Sequence, residues 1–201
     1  MIEKGVIVNK IRKTHYVPTE REVLILLNKP DLDTVKGRRD KAILELMYSS
    51  ALRRMEIHNL NIDDIDLVES TARVNEGKFK KDRVVPMGKV ARESIELYLA
   101  KSRPKWLKTA KEKALFISER GERLSAGMIN ETIKHYADNN RISPHSLRHA
   151  CATHMLKRGA DIIHIQMLLG HNSPKTTEIY TKLFPNDLKV GYDKINIRSF
   201  K

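Results

Sequence analysis

Tyr180, His145, Arg148 and His171 stand in a segment whose apolar residues otherwise recur with helical spacing, "HSLRHACATHMLKRGADIIHIQMLLGHNSPKTTEIYTKL" over residues 145–183. A tyrosine hydroxyl has an unperturbed pKa of about 10, so it becomes a nucleophile only where a neighbour helps remove its proton. His145 and His171 are each able to give that help, or to donate to an anion. Arg148 follows His145 by one helical turn, and side chains three apart share a helix face. Its planar, permanently charged guanidinium suits bidentate contact with two phosphate oxygens. Together these residues describe an anion site beside a tyrosine nucleophile.

The remaining histidines of the segment read as structural: His149, His154 and His164 are expected as half-buried helix residues, each with a satisfied nitrogen. His145 and His149 have ligand spacing, but there is no HExxH pattern and a single cysteine, Cys151, leaves too few soft ligands for zinc. No metal is expected.

Helices must hold these groups. Thr19 and Glu22 form a capping box that opens a helix through Val23, Leu24 and Leu27, and a second helix is predicted over 37–50 with Ile43, Leu44 and Met47 on one face. "ALRRMEIHNL" continues as a short helix, with "NIDDIDL" as its exit turn. Residues 71–87 alternate around a Gly-Lys-rich centre, the pattern of a hairpin, and "VARESIELYLAKS" is helical again. "ALFIS" reads as a short strand. Ser125 caps a helix to about Ala137, "SPHSLRH" opens another that Gly159 ends, and Asp161 caps "IIHIQMLL", which stops at Gly170. Ser173 with Pro174 starts the helix that carries Tyr180. The fold class is α+β and mainly helical, with a small antiparallel sheet.

At 201 residues the chain makes one ordinary domain, divided here into a basic arm over 1–17, a body over 18–183 and a tail over 184–201. Thirty-eight Lys and Arg against 25 acidic residues give a net charge of +13, which points to a polyanion as partner. Aromatic residues are only 5%, too few for a platform that stacks single strands, so duplex DNA gripped through its phosphates fits best. No run of about 18 apolar residues and no cleavable leader is present, so a cytoplasmic protein without membrane contact is expected.

"HSLRH" followed by "LLGHNSPKTTEIY" resembles the second signature box of the tyrosine recombinases, the phage integrase family, in its His-x-x-Arg, its Leu-Gly-His and its closing tyrosine. The first box of that family, an arginine in a Gly-Leu-Arg-x-x-Glu-Leu helix, is matched by "ALRRMEI", which gives Arg53 with Glu56 behind it. Between the boxes, "EGKFKKDRVVP" is similar to the family's catalytic-lysine hairpin, and aligning its Gly-Lys pair gives Lys78. The resemblance, to the Xer-like catalytic domain, covers residues 16–183.

The resemblance implies a site-specific DNA recombinase of integrase, invertase or resolvase type, with a helical bundle carrying the small sheet. Arg53 and Arg148 would clamp the non-bridging oxygens of a scissile phosphodiester, and His171 would hydrogen-bond it. His145 would accept the proton of Tyr180 or hold an oxygen. Lys78 would protonate the departing 5′ oxygen. A 3′-phosphotyrosyl intermediate stores the bond energy, so neither a metal nor another cofactor is implied. The partners implied are double-stranded DNA, further copies of the chain as a dimer or tetramer, and accessory proteins. Glu56 and Asp82 are expected as structural partners of Arg53 and of the hairpin.

Some positions depart from the family pattern. Ala51 replaces the usual glycine before Leu-Arg, which suits a helix and should cost nothing. Phe79 replaces a frequent second glycine, which leaves Lys80 and Lys81 as rivals of Lys78. Only a short arm precedes the catalytic region where most members carry a further helical domain, as expected of a catalytic-domain-only member or of a fragment, with Met1 favouring the former. The tail's Leu183, Phe184, Leu188, Val190 and Ile195 would dock on a neighbouring protomer or fold onto their own domain. Two other functions fit the same scaffold: a DNA-binding regulator, against which the intact nucleophile argues, and a type IB topoisomerase-like enzyme relaxing strands as a monomer.

Overall fold

The computed structural model describes residues 16–75 and 82–170. Lys78, Lys80, Lys81, His171, Tyr180, the helix expected from Ser173, most of the arm and the whole tail lie outside the described residues.

Helix α1 (Glu20–Asn28) opens on the expected capping box: Thr19 Oγ1 accepts from the Glu22 amide at 3.2 Å, and Glu22 Oε2 accepts from the Thr19 amide at 2.8 Å. Helix α2 (Val35–Ser49) is the axis of the fold, packed along α4 (Lys89–Lys101) and touched by α1, α3 (Arg54–Asn59), α5 (Arg103–Trp106), α6 (Ala126–Tyr136) and α7 (Pro144–Lys157). The expectation of one apolar face on α2 is corrected, because Arg39, Asp40, Lys41 and Glu45 are buried along with Ile43, Leu44 and Met47. The charges bury in pairs: Arg39 Nη2 lies 2.7 Å from Asp40 Oδ1, and Lys41 Nζ lies 2.8 Å from Glu45 Oε1. Pairing is the condition on which charge enters a core.

Three antiparallel strands in the order β1 (Ile65–Asp66), β2 (Thr71–Val74) and β3 (Arg83–Pro86) form the sheet, with Val74 opposite Arg83 and Ala72 opposite Val85. The hairpin was expected. Strand β1 corrects the reading of "NIDDIDL" as a turn, and α5 was not anticipated.

"ALFIS" is not a strand of this sheet. Ala114 and Ile117 form isolated bridges to Asn61 and Arg123, and side chains take other backbone groups of the segment. Arg103 Nη2 donates to the Ala114 carbonyl at 2.9 Å, and Tyr98 Oη accepts from the Ile117 amide at 3.1 Å. Backbone outside the sheet serves the rest, with the Leu115 amide donating to the Leu60 carbonyl and the Phe116 carbonyl accepting from the Leu124 amide, both at 2.9 Å, so the segment needs no strand of the sheet beside it.

The expected helices α6, α7 and α8 (Ile162–Leu169) are present, capped by Ser125, Ser143 and Asp161. Gly159 at φ +86° follows the end of α7, and Gly170 at φ +59° ends α8, a conformation that a side chain disfavours. Among the described residues no helix is long and apolar enough to cross a membrane.

Candidate active site

Among the described residues, two chain segments far apart in sequence carry the paired arginines of the site. The first is the turn between α2 and α3. Helix α2 ends at Ser49 and α3 begins only at Arg54, so Ala51 and Leu52 are not helical and Arg53 is the N-cap residue, at φ −73° and ψ +153°. The expectation that Ala51 sits in a helix without cost is therefore corrected. Its φ is +50°, in the left-handed region where a Cβ meets the following carbonyl.

Glu56, one turn into α3, locks Arg53 twice. Its Oε2 accepts from the Arg53 amide at 2.7 Å and its Oε1 from Arg53 Nη1 at 2.7 Å. The structural role expected of Glu56 thus has its geometry.

The second segment is the start of α7. Ser143 caps it, Pro144 occupies the first helical position, and Ser146 Oγ accepts from the Ser143 amide at 2.8 Å. The next turn carries Arg148, whose side chain is 7% exposed. Arg148 Nη1 donates to the Ala51 carbonyl at 2.5 Å, and its Nη2 donates to the carbonyl of Leu169, the last residue of α8. Arg53 Nη2 reaches the same Leu169 oxygen at 3.4 Å. A helix C-terminus offers carbonyls without intrahelical partners, and here one of them registers α8 against both arginines.

Arg53, Arg148 and His145 line one cleft of about 360 Å³, together with Arg54, Asn130 and Ser143. Of the six residues singled out for chemistry, these three are brought together. His145 is exposed, and it also borders an adjoining cleft with Tyr16, Arg141 and His149. Lys78, His171 and Tyr180 lie outside the described residues.

Charge dominates this region. Burial first, and then the neighbouring positive charge of Arg53, lower the Arg148 guanidinium to about 10. That is still far enough above neutrality to keep it a cation. Burial acts to raise the Glu56 carboxyl, but hydrogen bonds from Arg83 and from the Arg53 amide outweigh it, so Glu56 lies below its ordinary value. Cys151, one turn beyond Arg148, is buried against the Ser49 carbonyl, and burial raises its thiol to about 12. A neutral thiol adds no charge to the cluster.

Arg83 is the residue that sequence reading missed. Its Nη2 donates to Glu56 Oε2 at 3.0 Å, which joins β3 to the arginine pair. A signal existed in the period-two alternation of "RVVP", which puts Arg83 on the same face as buried Val85.

The other histidines divide. His154 is buried, which corrects the expectation of half-burial, while its Nδ1 lies 2.9 Å from Tyr48 Oη, the satisfied nitrogen expected of a structural histidine. His164 is half-buried as expected. His149 is exposed, which corrects the expectation of half-burial. Among the described residues no group of three or more His, Cys, Asp or Glu side chains is placed to hold a metal ion.

Comparison with known proteins follows the same lines. The sequence profile of the phage integrase family matches residues 17–187. The chain is 37% identical over 182 residues to the tyrosine recombinase XerD of Staphylococcus epidermidis, covering 89% of this chain and 61% of that protein. It is 43% identical over 176 residues to the tyrosine recombinase XerC of Thermodesulfovibrio yellowstonii, covering 84% and 58%. The solved structure of XerA recombinase superposes with a TM-score of 0.68 at 33% identity, over 88% of this chain and 64% of that one. The chain thus spans about 60% of the length of these relatives. The helical body with its small antiparallel sheet is the tyrosine recombinase catalytic-domain fold, and the chain belongs to the phage integrase family.

Proposed function

We propose that this chain is a site-specific DNA recombinase that cuts and rejoins duplex DNA through a 3′-phosphotyrosine. The observation that carries the reading is the meeting of Arg53 and Arg148 in one cleft beside His145. Two guanidinium groups on one cleft suit the non-bridging oxygens of a phosphodiester, and fixed donors aimed at developing charge are the strongest source of catalysis for such a reaction. Similarity to XerC, XerD and XerA recombinases supports the same reading.

In the proposed step, the Tyr180 oxygen forms a bond to phosphorus and passes its proton to His145. The bond from phosphorus to the 5′ oxygen breaks, its electron pair leaves on that oxygen, and Lys78 supplies the proton that makes a 5′-hydroxyl. Lys80 and Lys81 are the rival donors. His171 hydrogen-bonds the phosphate. A hydroxyl from another strand then reverses the step and rejoins DNA.

In this reading residues 18–183 form the catalytic domain, 1–17 a basic arm and 184–201 a tail. Copies of the chain assemble on DNA as a dimer or tetramer in the cytoplasm. The net charge of +13 suits such a partner.

The test is incubation with DNA from the neighbourhood of its gene, followed by trapping and sequencing of covalent adducts. Recovery of protein joined to a 3′ end, opposite a free 5′-hydroxyl, at a recurring sequence is expected. Adducts on 5′ ends, or none on any duplex, would contradict the reading.

A further inference from the structure

Three guanidinium groups surround one carboxylate in this site. Glu56 Oε1 holds Arg53 at 2.7 Å and Glu56 Oε2 holds Arg83 at 3.0 Å, while Arg148 Nη1 stands off at 3.7 Å from Oε2. The nearest partners of Arg148 are instead two neutral carbonyls, those of Ala51 and Leu169. Because Arg83 and the Arg53 amide occupy Oε2, Arg148 is left with the longest and weakest of the three ion pairs and is oriented mainly by neutral carbonyls.

Resting on the recombinase reading, we propose that Arg83 is a positioning residue for strand cleavage. Held on Glu56, it keeps that carboxylate from drawing Arg148 out of the cleft, so that among these four side chains three positive charges face one negative charge and positive charge is in excess. A phosphodiester carries one negative charge and approaches two as the tyrosine oxygen adds to phosphorus and the 5′ oxygen departs. The excess is therefore complementary to the transition state more than to the bound substrate, which is the condition for acceleration. Arg83 itself is 12% exposed, so solvent screens its pairing with Glu56 only in part.

Electrostatics agree with the geometry. The Arg83 hydrogen bond is the largest influence lowering Glu56 against its burial, and the positive charge of Arg83 is felt at Arg148 after burial and the charges of Arg53 and Glu56. The strand supports the assignment too. Arg83 pairs with Val74 at the loop end of the β2–β3 ladder, so the same contact ties the base of the hairpin to the helix behind Arg53.

The test compares the wild-type chain with Arg83→Gln, Arg83→Lys and Arg148→Ala on the duplex recovered by adduct sequencing. A second substrate has a methyl group in place of one non-bridging oxygen of the scissile phosphate. Arg83→Gln should bind the ordinary duplex with unchanged affinity but form adduct about tenfold more slowly or worse, the size of effect expected when a reacting group is misplaced. Arg83→Lys, which keeps the charge, should recover most of the rate. On the uncharged substrate the deficit of Arg83→Gln should shrink, because less charge develops. A merely structural role would slow both substrates alike.

Arg83→Gln cleaving at the wild-type rate while Arg148→Ala fails to cleave would overturn the proposal and leave the recombinase reading standing. Equal deficits on the two substrates would do the same. Should Arg83→Gln fail to fold, Arg83→Lys decides the matter, since a rate as low as that of Arg148→Ala on both substrates contradicts a role through charge. A wild-type chain that forms no adduct takes down both.

Discussion

Arg148 Nη1 donates to the carbonyl of Ala51, 97 residues earlier, and that carbonyl belongs to a residue held at φ +50°. Left-handed backbone costs a residue with a side chain about 1–2 kcal/mol. Here the turn lets α2 stop, points a carbonyl at Arg148 and starts α3 on Arg53. Ala51 is fully buried, so Ala51→Val adds bulk and a β-branch where neither fits. It should lower stability by about 2 kcal/mol or more in urea unfolding. Ala51→Gly should stay within about 1 kcal/mol of wild type, as relief of strain is offset by a lost buried methyl and a looser unfolded chain.

Glu56 answers Arg53 at 2.7 Å and Arg83 at 3.0 Å, with Arg148 in a longer ion pair at 3.7 Å. Glu56→Gln leaves buried positive charge uncompensated and should destabilise by about 3 kcal/mol. The sign with pH follows from its lowered pKa. The stabilisation is fully present above the ordinary glutamate value of 4.5 and is lost as pH falls through the lower folded value. Melting temperature should therefore fall on acidification below that value, and the fall should be shallower in Glu56→Gln.

Lysine should not replace either arginine. Arg148 satisfies two carbonyls at once through different nitrogens, and an ammonium lacks the planar fork to do so and still face a phosphate. Arg53→Lys and Arg148→Lys should each slow cleavage by orders of magnitude with little loss of duplex binding, read by single-turnover adduct formation beside a mobility assay. Near-normal cleavage in either variant would remove that arginine from the clamp.

What was legible in the sequence and what was not separate by the range of the interaction. Caps are local, so Thr19 with Glu22, Ser125, Asp161 and the glycine stop at Gly170 could all be read, and the structure places them there. Arg53, His145 and Arg148 were legible because their order and spacing match a family, although nothing local says that the two arginines meet. The failures are long-range. Glu56, which Arg83 holds, lies 27 residues away, and the charges buried in α2 are invisible to a periodicity that counts only apolar residues. "ALFIS" has the composition of a strand, but Arg103 and Tyr98 take its backbone groups. Ala51 misled because a good helix former was read as helix, where tertiary contacts hold a turn.

The proton donor to the leaving group can be identified by chemistry. A thiol has a pKa of about 8.5 and a thiolate departs unaided, whereas an alkoxide near neutral pH needs a proton. Replacing the bridging 5′ oxygen with sulfur should restore cleavage to Lys78→Ala but not to Arg148→Ala, whose defect lies in charge stabilisation. Rescue of Lys80→Ala or Lys81→Ala, with Lys78→Ala cleaving ordinary DNA normally, would move the role along the hairpin.

Tyr180 as the nucleophile is tested by mapping the DNA-linked peptide of the trapped adduct by mass spectrometry, in the wild-type chain and in Tyr180→Phe. Tyr136 is a useful internal control, since its hydroxyl donates to the buried carboxylate of Asp40 and burial raises it to about 12. With Tyr180 in that role, a 3′-phosphate is expected on the peptide that carries it, and a Tyr180→Phe chain should fold and bind duplex but form no adduct. Adduct that persists in Tyr180→Phe, or a link mapped to Tyr136 or Tyr192, would contradict it.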